Sequence, residues 1–162
     1  RRHAIEFPRG IKFSEDRTFN LLSIGYAGHM AYEKTAYYWR FVNTRSTVHR
    51  FHPDYFEACL NAAEAIKGAI SAAWGDNDAL QTAYLRQLIG GAFSAVCNYY
   101  YKTSPMSRAE RTAAVRQLCQ NRALRAAITR TGISDIRADW IMRQNAAMLG
   151  LYARAANLKH GR

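Results

Sequence analysis

The sequence predicts a mostly α-helical chain in which a short α/β segment over residues 1–52 precedes a helical bundle over 53–162 of about four or five helices. Three observations carry that prediction. Beyond residue 52, helix-starting Asp, Asn and Ser residues and helix-stopping Gly residues recur at ordinary helix lengths. Apolar residues between those signals fall at three- and four-residue spacing. Before residue 52, an aromatic run without helix signals separates one amphipathic stretch from a polar loop. With 162 residues and 49% apolar content, the chain is long enough and apolar enough to bury a core.

The elements follow in order. Ala4 to Phe13 is a mixed apolar and basic entry with a turn signal at Pro8 and Gly10. Ser14 stands where a helix N-cap stands, and Glu15 and Asp16 occupy the first turn, where the helix dipole favours acids. Phe19, Leu22 and Tyr26 give that helix an apolar face, and Gly28 is positioned to end it. Met30 to Val42 reads as a strand, and Asn43 to His49 as a loop.

Pro53 suits the first turn of a helix carrying Phe56, Leu60, Ala63, Ile66 and Ile70 inward as far as Trp74, with Gly75 as its stop. Asp76-Asn77-Asp78 offers the next cap, for a helix to about Tyr101. Its ten-residue apolar centre, Leu88 to Cys97, is too short to span a bilayer and predicts a buried core helix. Ser104-Pro105 breaks the chain. Ser107 and Glu110 have capping-box spacing and open a basic helix that buries Val115, Leu118 and Cys119. Asn121 recaps a short helix ending at Gly132. Ser134 or Asp135 starts the last helix, with Ile136, Trp140, Met148, Leu151 and Tyr152 as candidate core residues.

The formal net charge is +11, and it is concentrated in the second half: residues 102–162 hold 12 Lys+Arg against three Asp+Glu. Such a field favours polyanions, either nucleic acid or an anionic membrane surface. Arg dominates, and its planar fork matches phosphate. Cys59, Cys97 and Cys119 have no metal-ligand spacing and read as buried free thiols, which points to a reducing compartment. His49 and His52 are three apart and are weak metal candidates. The chain opens on Arg1-Arg2 without an apolar leader and reads as a fragment.

Taken alone, Glu15 and Asp16 are carboxylates serving a helix N-terminus. Their surroundings add a second reading. Phe7-Pro8-Arg9-Gly10-Ile11 leads into Glu15-Asp16, then Phe19-Asn20-Leu21; Tyr37-Tyr38-Trp39-Arg40 follows, and then Asn43-Thr44-Arg45-Ser46. Over roughly residues 4–50 this order resembles the acceptor-side half of glycosyltransferase family 2, nucleotide-sugar enzymes of GT-A fold. Trp39 stands where the family usually has Tyr. The resemblance implies that residues 1–52 are the acceptor-side end of a GT-A-like catalytic domain and 53–162 a basic C-terminal helical region.

It further implies an inverting transfer from a nucleotide-sugar to a saccharide or lipid-linked acceptor, in polysaccharide or glycolipid biosynthesis. Asp16 takes the role of general base, and Glu15 supports or orients the acceptor. Trp39, Arg40 and Ser46 are implied in substrate binding. A divalent metal, Mg or Mn, belongs to the full-length enzyme. No Asp-x-Asp motif precedes residue 76, and Asp76-Asn77-Asp78 sits between two helices as a cap. The isolated chain is therefore expected to hold no metal and to transfer no sugar. The implied location is cytoplasmic, peripheral at the inner face of the membrane, and a homo-oligomer is a further expected partner state. The alternative reading is a basic helical module without catalysis that binds nucleic acid or serves as a scaffold. No helix-turn-helix, zinc or basic-zipper signature supports the nucleic-acid form.

Overall fold

The computed structural model describes residues 3–35 and 50–159. Among them are seven helices and no strand. They are α1 (Glu15–Tyr26), α2 (Tyr55–Trp74), α3 (Asp78–Tyr99), α4 (Arg108–Gln120), α5 (Arg122–Thr131), α6 (Ile136–Met142) and α7 (Ala146–Lys159). The mostly helical prediction holds. Of the expected strand, residues 30–35 form no strand, and 36–42 lie outside the described residues.

Helix α3 is the central element. Leu85, Leu88, Ile89, Ala92, Phe93, Ala95, Val96 and Tyr99 on it are all buried, since α2, α4, α5 and α7 pack around it. This is why its apolar centre covers more than one stripe, leaving exposed only the face of Ala83, Arg86, Gly90 and Ser94. The rest of the core comes from Val115, Leu118 and Cys119 of α4, Leu124, Ala127 and Ile128 of α5, Ile141 of α6 and Leu149 and Ala153 of α7. No helix of the described chain is long and apolar enough to cross a membrane.

Local chemistry sets the helix ends. Gly75 ends α2 at φ 61°, and Asn77 caps α3, its side chain accepting the Leu80 N–H at 3.0 Å. Ser107 and Glu110 form the complete capping box of α4. Asn121 ends α4 and caps α5, accepting the Leu124 N–H at 3.0 Å. Gly132 closes α5 in the left-handed region.

The last predicted helix is in fact two. Gln144 sits at φ 53°, and Asn145 recaps the chain by accepting the Met148 N–H at 3.1 Å. The buried face of the two is built instead on Ala138 and Ile141 and on Leu149 and Ala153, so Ile136 and Leu151, expected in the core, are exposed, while Trp140, Met148 and Tyr152 are half-buried. The bundle after residue 52 accordingly has six helices, one more than expected.

Helix α1 lies against α2, so the segment before residue 52 is tied to the bundle at several points. Lys12 pairs with Asp54 at 2.6 Å, Trp74 donates its indole N–H to the Leu21 carbonyl at 3.0 Å, and the Tyr26 hydroxyl donates to the Ala72 carbonyl at 3.0 Å. Gly25 permits the close approach: a Cβ there would stand 2.6 Å from that of Ala73. The face expected from Phe19, Leu22 and Tyr26 is only partly covered. Thr18 is the fully buried residue of α1, Phe19 is half-buried and stacks on Phe7 at 4.3 Å, and Tyr26 is exposed.

Candidate functional site

A cavity of about 980 Å³ opens where the start of α1 meets α2 and α3. The sequence alone places Glu15 and Asp16 in the first turn of α1, and both line this cavity. Asp16 is exposed, and no described cation forms an ion pair with it. Its Oδ1 accepts the Arg17 backbone N–H at 2.7 Å, which turns one carboxylate oxygen onto the helix end and leaves the other without a protein partner among the described residues. Glu15, one residue earlier, is also exposed and shares the cavity wall rather than facing away from it.

Ser14 behaves differently from expectation. It is the N-cap by position, but its backbone is left-handed at φ 61° and its side chain caps nothing. The turn sends its hydroxyl across to α3, where Gln87 Nε2 donates to it at 3.2 Å. The first turn of α1 is thereby fastened to α3, which fixes the direction in which Glu15 and Asp16 project.

The opposite walls come from residues far away in the chain. Phe13, His52 and Tyr55 form an aromatic side, with Phe13 edge-on to the His52 ring at 5.7 Å and tilted against Tyr55 at 4.9 Å. His52 is held by its backbone: Asn98 accepts its N–H at 2.9 Å and donates to its carbonyl at 2.8 Å. Gly90, Gly91 and Ser94 of α3 and Ala62 and Ala63 of α2 make a floor of small residues. Gly91 lies tight on Cys59, where an added Cβ would sit 3.1 Å from the sulfur. Lys12, Arg17 and Arg86 put positive charge on the rim.

Electrostatics inside the site are set by burial and by the Lys12 pair. The Lys12 ammonium hydrogen-bonded to Asp54 holds that carboxyl below its ordinary value. Burial pushes the Cys59 thiol up to about 11, so it is a protonated thiol and not a nucleophile at neutral pH.

Of the sequence-predicted site residues, the structure brings Glu15, Asp16 and His52 to one cavity. Trp39, Arg40, Ser46 and His49 lie outside the described residues. Arg86 and Gln87 were not anticipated. Both sit in a helix read only for its apolar centre, and no local pattern marks a side chain that meets a turn 73 positions earlier. Among the described residues no group of three or more His, Cys, Asp or Glu side chains is placed to hold a metal ion. The divalent metal that the resemblance implies belongs to the full-length enzyme, and no step of the chemistry below runs through one. The chain matches no protein-family model, no curated protein and no solved structure.

Proposed function

We propose that this chain is the acceptor-side part of an inverting glycosyltransferase, and that the cavity at the start of α1 receives the acceptor. The observation that carries the reading is the exposed Asp16 carboxylate, without an ion pair among the described residues, on the wall of a cavity with an aromatic side. One Asp16 oxygen serves the helix start through the Arg17 N–H, and the other is left for an acceptor hydroxyl. A saccharide offers hydroxyls to Glu15, Asp16 and Arg86, and flat C–H faces to Phe13 and Tyr55.

The chemistry then follows. An acceptor hydroxyl is a poor nucleophile while it keeps its proton. Asp16 takes that proton as the oxygen bonds to the anomeric carbon, which contributes about 10²–10⁴-fold. The bond from that carbon to the nucleoside diphosphate breaks on the opposite face, so the configuration inverts. Glu15 orients the acceptor. Arg86 and Gln87 of α3 close the acceptor side, which gives the helical region a part in acceptor recognition. Trp39, Arg40 and Ser46 keep their proposed role in substrate binding.

The basic helices are assigned to an anionic membrane surface, where each Lys or Arg near the headgroups contributes about 1 kcal/mol. In support, α7 exposes Leu151 by 60% and Leu158 by 76%, seven residues apart and flanked by Arg154 and Lys159. The test of the catalytic reading is transfer by the enzyme that joins this chain to a donor-binding half. Asp16→Asn lowers kcat by at least about a hundredfold, and Arg86→Ala raises the acceptor KM with a smaller change in kcat. Unchanged rates in both variants overturn the reading.

A further inference from the structure

A second cavity, of about 560 Å³, lies between α4 and the start of α7. It shares no lining residue with the Asp16 cavity. Arg108 and Arg116 reach it from α4, and Arg154 from α7. Arg108, Thr112 and Arg116 are four apart and so lie on one face of their helix; Ala146, Gly150 and Arg154 do the same on the facing helix. No Asp or Glu lines the cavity, and none of the three arginines pairs with a described carboxylate.

Like charges gathered on one hollow without a counter-charge repel each other. What holds Arg154 in place is an aromatic ring rather than an acid. Its guanidinium stands over Tyr100, 5.5 Å from the ring centroid, and that of Arg111 stands over the same ring at 5.7 Å. Gly150 admits the ring, since a Cβ there would stand 2.5 Å from the Tyr100 hydroxyl oxygen. Stacked in this way, Arg154 keeps its N–H donors for the cavity. The backbone supplies another donor: Asn145 takes the Met148 N–H, while the N–H of Ala147, on the cavity wall, has no acceptor among the described residues. The positive end of the 14-residue α7 points the same way.

We propose that this cavity binds a phosphate-bearing ligand, with Arg108, Arg116 and Arg154 as its forks and the first turn of α7 as its backbone anchor. Planar guanidiniums match phosphate oxygens two at a time, and three of them suit a phosphomonoester or a diphosphate better than a carboxylate. The site does not depend on sugar transfer. Its phosphate has two sources, a soluble diphosphate or a lipid headgroup.

The experiment titrates the chain with inorganic pyrophosphate by calorimetry. In parallel, it sediments the chain with phosphatidylcholine vesicles that either contain or lack phosphatidic acid. An Arg116→Gln, Arg154→Gln double variant weakens whichever ligand binds by roughly tenfold or more. An Arg122→Gln, Arg130→Gln double variant removes the same charge from α5, where neither residue lines the cavity, and changes binding by less than about twofold. Circular dichroism checks that each variant keeps its helix content. If the first double variant unfolds, Arg116→Gln alone is read in its place, with an expected loss of about threefold or more. Selective loss of pyrophosphate binding identifies a soluble ligand. Selective loss of phosphatidic-acid binding alone identifies a headgroup. No binding by the wild-type chain to either probe, or equal losses in the two double variants, overturns the proposal.

Discussion

Asn98 is fully buried, and its amide satisfies both the N–H and the carbonyl of His52. A buried amide with both ends matched is worth far more than an exposed one, because its loss strands two backbone groups away from water. Asn98→Ala is expected to lower unfolding free energy by about 2–4 kcal/mol, read from urea denaturation; a change within about 0.5 kcal/mol would show that the pairing carries no stability. The residue was invisible to sequence reasoning for a physical reason: an Asn inside an apolar run reads as a defect until its partner, 46 residues earlier, is seen. The thiols were only partly legible: of the three expected to be buried, Cys119 is buried, while Cys59 and Cys97 are half-buried. Burial pushes Cys59 and Cys119 up to about 11 each, with Arg125 opposing the shift at Cys119. Between about pH 9 and 11 the unfolded chain has lost thiol protons that the folded chain still holds, so stability falls as pH rises through that window. A Cys59→Ala, Cys119→Ala variant should show a shallower fall of the denaturation midpoint from pH 8 to 10.5 than the wild-type chain. An identical fall in the two would rule out these thiols as its source.

At the scale of the element, legibility follows how local the cause is. A cap is decided within four residues, so Asn77, Ser107, Asn121 and Gly132 announced their helices and the structure keeps all four. The Ser107–Glu110 box is the clearest case, and Ser107→Ala should cost about 1 kcal/mol, measured by thermal unfolding; an unchanged midpoint would contradict the role. The Ser107 backbone N–H holds the Glu110 carboxyl below its ordinary value. Its contribution is therefore present above the ordinary carboxylate range and is lost as pH falls through the lowered one. Ser14 failed as a cap since a tertiary bond to Gln87 competes for its hydroxyl. The break at Gln144 carries no Pro or Gly, so the usual helix-stopping residues do not mark it.

For the whole molecule, the structure supports the mostly helical architecture. The Glu15–Asp16 pair was conspicuous because its position at a helix start is local. The cavity around it was not, since α1, α2 and α3 assemble it from residues spread between Lys12 and Ser94. The uneven charge was plain from composition, while the grouping of Arg108, Arg116 and Arg154 on one hollow depends on how α7 packs against α4. The account rests most heavily on Asp16 taking a proton from an acceptor hydroxyl. Single-turnover sugar transfer by the enzyme that unites this chain with a donor-binding half, comparing wild type with Asp16→Asn, measures that step directly. The account predicts a chemical step slower by at least about a hundredfold, with acceptor binding little altered; a step as fast in the variant as in the wild type would contradict it.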